Sequence, residues 1–129
     1  MAFEFLFDRG NNVLLVKYGR TLTRETIEGA VATAHRFVEA HGACPAIADF
    51  SGVEQVDVDL AYWRSFGEVP RVIQGAKRVL VAPQDTMFGM IRMYGLHQAV
   101  RGDEPAIVRS LQAAYDLLGI RVPDFQPFT

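Results

Sequence analysis

The sequence predicts a mixed α/β domain: a mostly parallel sheet of four or five strands, opened by an antiparallel hairpin, with its helices mainly on one face. Three observations predict it. Residues 3–8, rich in Phe and only partly alternating, and the apolar run 13–18 are of strand length and flank Gly10-Asn11-Asn12, residue types that accept the positive φ of a tight turn. Beyond this hairpin, short apolar runs alternate with longer stretches of helical period, the pattern of successive β-α-β units. The chain has 129 residues, 50% of them hydrophobic, which suits one domain around one core.

Each element has its own signal. In Val13-Leu14-Leu15-Val16-Lys17-Tyr18 the second strand of the hairpin is nearly continuous in apolar residues, and Gly19 ends it. Thr23 is an N-cap type and Glu25 places a negative charge in the first turn of a helix over 24–41. Ile27, Ala30, Val31, Ala34 and Val38 recur on one side of it, Phe37 widens the stripe, and Gly42 stops it. Pro45-Ala46-Ile47-Ala48-Asp49-Phe50 reads as a buried parallel strand closed by Ser51-Gly52. Asp59 caps a second helix carrying Leu60, Trp63, Phe66 and Val69, which Pro70 ends. Lys77–Ala82 is a further strand. Asp85 caps a third helix over 86–101, with Gly102 just past its end. Residues 105–119 fit two readings: one long helix opened by Pro105, or a short strand at 106–109 followed by a helix capped by Ser110. Residues 120–129 have two prolines and no period, and read as an irregular tail.

Composition narrows the function classes. Thirteen basic against fifteen acidic residues give a net charge of −2, so there is no basic field to hold a nucleic acid. No run approaches the roughly 20 apolar residues of a spanning helix, and the acidic start Met1-Ala2-Phe3-Glu4 is unlike a signal peptide. Cys44 stands alone, so no intramolecular disulfide forms and a reducing cytoplasm is the expected location. His41 and Cys44 are two metal-ligand types where a structural zinc needs about four, so no metal is expected. Phe50-Ser51-Gly52 lacks a nucleophile elbow, and no dinucleotide or P-loop pattern occurs. No set of nucleophile, base and oxyanion donors assembles, so the reading carries no catalytic residues and no cofactor.

Three segments in order resemble a known family. Asp49-Phe50-Ser51-Gly52-Val53 closes a strand that follows an amphipathic helix, Val56-Asp57-Val58-Asp59-Leu60 opens the next helix, and Ser110–Leu118 ends the fold. Gly89-Met90-Ile91-Arg92-Met93-Tyr94 adds a glycine and an arginine on the helix after the fourth strand. Over residues 3–119 this resembles the STAS domain of anti-sigma-factor antagonists, the SpoIIAA-like group whose fold is similar to SEC14-type lipid-binding domains. The resemblance implies a STAS-like domain over 1–119, favours strand then helix in 105–119, and implies a binding module rather than an enzyme. In the antagonists, the loop before the second helix presents a phosphorylatable serine in a pattern like D-S-S-G. Here that stretch is Asp57-Val58-Asp59-Leu60, and Val58 has no hydroxyl to accept a phosphate.

Two groups of residues are candidates for contact with a ligand or partner. The third helix carries Met87, Met90, Ile91, Met93 and Tyr94 around all its sides, and such a helix needs a second cover beyond the sheet: a neighbouring helix, a second copy, or an apolar ligand. Arg92 either pairs with an acid such as Asp49 or Asp85 or anchors an anionic headgroup, and His97 lies one turn beyond. The second group is the motif loop, Asp49, Ser51, Gly52, Asp57 and Asp59, in which the last two also serve as turn residue and helix cap. The expectation is a homodimeric, non-enzymatic regulatory module that binds a protein partner. The alternative is a carrier or sensor of an apolar small molecule or lipid held beside helix 86–101.

Overall fold

A computed structural model of the chain describes residues 2–68, 75–99 and 105–128. β1 (Phe3–Asp8) and β2 (Val13–Tyr18) form the antiparallel hairpin, turning through Asn12 at φ 57°. β3 (Thr21–Thr23) runs directly into α1 (Arg24–His41), whose N-cap Thr23 accepts a hydrogen bond from the Thr26 amide. Then follow β4 (Ala46–Asp49), β5 (Gln55–Asp57), α2 (Leu60–Glu68), β6 (Arg78–Val81), α3 (Asp85–Ala99), β7 (Ala106–Val108), α4 (Leu111–Leu118) and β8 (Gln126–Pro127).

The main sheet has six strands in the order β7-β6-β4-β2-β1-β8. The steps β2–β4, β4–β6 and β6–β7 are parallel, and β1 is antiparallel to both its neighbours. Parallel steps in one direction, joined by right-handed crossovers, put the connecting helices on one face. The packing agrees. Phe5, Phe7, Leu14, Val16 and Leu80 face α1, α2 and α3, through Ile27, Ala30, Phe37, Trp63, Met87, Ile91 and Tyr94. Val13, Leu15, Ile47, Val79 and Val81 face the other way, onto Ala114 of α4 and Ile120.

Three expectations change, and one open choice is decided in the favoured direction. Residues 55–57 are a strand, not the opening of a helix: Val56 turns inward between exposed Gln55 and Asp57, a period of two, and the segment pairs with β3 in a separate two-stranded parallel sheet. The main sheet exceeds four or five strands because residues 126–127 of the supposedly irregular tail pair with β1. Residues 105–119 resolve as strand then helix, with Ser110 Oγ accepting from the Ala113 amide. Asp85 lies inside the first turn of α3, where the Phe88 amide already bonds to the Gln84 carbonyl. The stops assigned to Pro70 and Gly102, and residues 100–101, lie outside the described residues.

The tail is tied down by one carboxylate. Asp8 is 1% exposed. It accepts from the Asn11 amide at 3.0 Å, from Asn11 Nδ2 at 2.7 Å and from the Asp124 amide at 2.8 Å, while Asn11 Nδ2 also reaches the Val122 carbonyl. Phe125 then stacks on Tyr115 on the α4 face, and Phe128 meets the Phe37 ring on the α1 face. Three residues apart in an extended segment, the two rings fall on opposite sides of the sheet edge. Burial pushes the Asp8 carboxyl up, but the donated bonds from Asn11, Asp124 and Gly10 outweigh it and hold it below the usual carboxylate value. A carboxylate whose folded-state value is lowered stabilises the protein at higher pH, and loses that contribution as pH falls through the folded-state value. Asp8→Asn therefore lowers unfolding free energy at neutral pH by about 1–3 kcal/mol. In urea titrations between neutrality and strongly acidic pH, the variant's stability falls less steeply than the parent's on the acid side.

Candidate functional site

The carboxyl ends of β2 and β4 lie side by side, and the loop after β4 is shaped by bonds made within it. Asp49 Oδ1 accepts from the Ser51 amide at 2.9 Å, and the Val53 amide bonds to the Phe50 carbonyl at 3.1 Å. Phe50 stacks against Tyr18, ring centroids 4.7 Å apart and nearly parallel. At Gly52 the loop comes so close to β2 that a Cβ would stand 3.2 Å from the Tyr18 carbonyl oxygen. The glycine is there for backbone approach.

A row of charges crosses the sheet at this end. In register, Glu4 of β1 is the partner of Lys17, and Lys17 is the partner of Asp49. Alternation along the strands puts all three on the α4 face, in line with Leu6, Leu15 and Ile47. α4 has its main contacts with β6 and β7, and its Tyr115 reaches far enough to feel the Asp49 charge. A cavity of about 240 Å³ opens there, lined by Glu4, Lys17, Asp49, Ser51, Tyr18 and Phe3 among others. Asp49 is only 2% exposed, while Lys17 and Ser51 are exposed. The Tyr115 hydroxyl is held above its ordinary pKa by burial and by the negative charges of Asp49 and Asp8. A wider, shallower cleft of about 590 Å³ adjoins through Phe3 and Gly19 and runs past Thr21 and Glu25. On its rim Arg20 is paired with Glu54, both largely exposed.

The two groups of candidate residues therefore part company. Asp49, Ser51 and Gly52 line the cavity. Asp57 ends β5, opposite Thr23, and Asp59 caps α2, its Oδ1 accepting from the Tyr62 amide at 2.7 Å. The α3 group is mostly core. Met87, Ile91 and Tyr94 are buried, and Met90 and Met93 pack half-buried against the same cluster. The second cover that α3 requires is α2, fixed by Trp63 Nε1 donating to the Met90 carbonyl at 2.8 Å. Arg92 is exposed and pairs with neither acid expected for it: Asp85 takes Arg109 at 3.0 Å, and Asp49 takes the Ser51 amide. His97 belongs to α3, but its side chain lies outside the described residues.

Sequence reasoning missed Arg78 and Gln98. Arg78 donates to the Tyr94 hydroxyl and, at 3.1 Å, to Oε1 of fully buried Gln98, forming a polar pin between β6 and α3. Its signal was parity, since residue 78 shares the inward face with Leu80. It also missed Glu4 and Lys17, which only strand pairing brings to Asp49.

No protein-family model matches the chain, and no curated protein matches it. Among the described residues, no three His, Cys, Asp or Glu side chains gather as a metal site, and no helix is long and apolar enough to cross a membrane.

Asp59→Ala removes the α2 cap and costs about 1 kcal/mol, read as a lower urea midpoint with unchanged slope. Gly52→Ala forces Cβ against the Tyr18 carbonyl and costs about 1–3 kcal/mol in the same assay.

Proposed function

We propose that this chain is a non-catalytic binding and regulatory module of STAS-like architecture, working as a homodimer in the cytoplasm, with the loops at the carboxyl end of its sheet as the surface that reads a ligand or partner. Several features support the reading. The element order, the parallel run β2-β4-β6-β7 and the grouping of α1, α2 and α3 on one face fit such a module. The observation that carries it is the buried Asp49 carboxylate lining a cavity at the ends of β2 and β4. Ligands of open α/β sheets bind outside the carboxyl ends of the strands. Val58, half-buried against the core, offers no hydroxyl there, so the module we propose works without the phospho-switch of the anti-sigma antagonists.

The apolar carrier is the weaker reading. A pocket beside α3 would use the very sides of that helix already packed on the sheet and on α2. Among the described side chains of α3 beyond its first turn, Gly89, Arg92 and Leu96 face solvent, the last 59% exposed. Spaced at three and four residues, these lie along one line of the helix, and we assign the homodimer contact to it.

Native mass spectrometry of the freshly purified protein tests both parts. The expected spectrum is a dimer with no retained apolar compound, and Leu96→Asp shifts it to monomer. A parent protein that is monomeric overturns the dimer, and a co-purifying lipid released on denaturation overturns the module in favour of the carrier.

A further inference from the structure

We propose that the cavity over the Glu4–Lys17–Asp49 row binds a small zwitterion with a primary amine, on the scale of an α-amino acid. This rests on the reading of the carboxyl end as the ligand-reading surface, and it names the ligand class. Asp49 is the decisive group. It is almost wholly buried, Oδ1 is engaged by the Ser51 amide, and among the described residues Oδ2 has no hydrogen-bond partner and no cation pairs with the carboxylate. Oδ2 is not among the sealed-off polar atoms, so it opens to the cavity that Asp49 lines, where a ligand ammonium can take the place of water.

The charge pattern selects the ligand. Two carboxylates face one ammonium across three adjacent strands, and among the described residues Lys17 pairs with neither of its neighbours. A simple anion entering here meets Glu4 and Asp49. A simple amine satisfies Asp49 but leaves Lys17 unanswered. A zwitterion answers both, with its ammonium toward Asp49 and Glu4 and its carboxylate toward Lys17 and the exposed Ser51 hydroxyl. The size agrees as well: about 240 Å³ falls below the roughly 300–1,000 Å³ of pockets for drug-sized ligands.

The test is a titration of the isotope-labelled protein followed by amide NMR, with glycine, L-alanine and β-alanine as probes. Methylammonium chloride and sodium acetate at matched ionic strength serve as half-ligands. The expected result is a saturable shift of the Gly19, Ser51 and Gly52 amides in about the millimolar range for at least one amino acid, with each half-ligand weaker by about tenfold or more. Lys17→Ala, at an exposed position, keeps the spectrum of a folded protein and weakens binding by a similar factor. Asp49→Asn, which retains an acceptor for the Ser51 amide, does the same. The proposal is overturned by the absence of saturable shifts from all three amino acids, by acetate or methylammonium matching them, or by affinity that survives both substitutions. Any of these leaves the mass-spectrometric test of the module untouched, so the two failures are distinguishable.

Discussion

The constraint on which the rest depends is the handedness of parallel crossovers. Stepping from β2 to β4, β6 and β7 in one direction commits α1, α2 and α3 to a single face. The opposite face is just as apolar, with Val13, Leu15, Ile47, Val79 and Val81, yet one eight-residue helix is left to cover it. α4 sits over β6 and β7, and the chain must return across the sheet to reach β1. The aromatic residues of the tail follow from this shortage of cover. Phe125 extends the α4 layer by stacking on Tyr115, and Phe128 closes the α1 layer at the far edge. On that face the row at the end of the sheet carries charged side chains in place of apolar ones, Glu4 and Lys17 exposed and Asp49 buried.

Polar groups fix what the apolar contacts leave adjustable. A sheet edge capped by two residues of β8 contributes little pairing energy. The buried Asp8 carboxylate converts it into a defined attachment, because a carboxylate deprived of its donors costs more than any one of those bonds contributes. Arg78 acts similarly on α3. Methionine-rich helices repack readily, and the bonds from Arg78 to Tyr94 and Gln98, with Trp63 bonded to the Met90 carbonyl, hold the helix in one register against β6 and α2. The Tyr94 ring in turn stacks on Phe66, centroids 5.3 Å apart, so the polar pin and the aromatic cluster share a residue.

How much of this was legible in the sequence follows from the range of each interaction. α1 was readable to the residue because its signals are local: the Ile27–Val38 stripe lies within it, and the Thr23 and Gly42 caps adjoin its two ends. The four strands with continuous apolar runs were readable for the same reason. β3, β5 and β8 were not, since two or three residues are too short a run to stand out, and each exists only through a partner distant in sequence. The α3 residues drew attention as an apolar helix, and the prediction that it needed a second cover was sound. Which of helix, copy or ligand supplies that cover is a tertiary fact, and α2 supplies it. Asp49 and Ser51 could be singled out at a strand end, but the neighbours that give Asp49 its chemical setting could not.

Those neighbours come from register. A hairpin slipped by one residue would turn Glu4 and Lys17 to the α1 face and bring Phe5 and Val16 to the solvent side. The aromatic and aliphatic packing against Phe37 and Ala30 forbids that slip. The core on one face thus sets the positions of charges on the other, though none of those charges touches it. Lys17 stands between two acids because Leu14 and Val16 must point at α1. Asp49 stands beside Lys17 because Ile47, two residues earlier, must pack with Leu15. The polar cavity is in this sense specified by apolar packing, and substitutions confined to Glu4, Lys17 and Ser51 alter its chemistry without entering the core that places it.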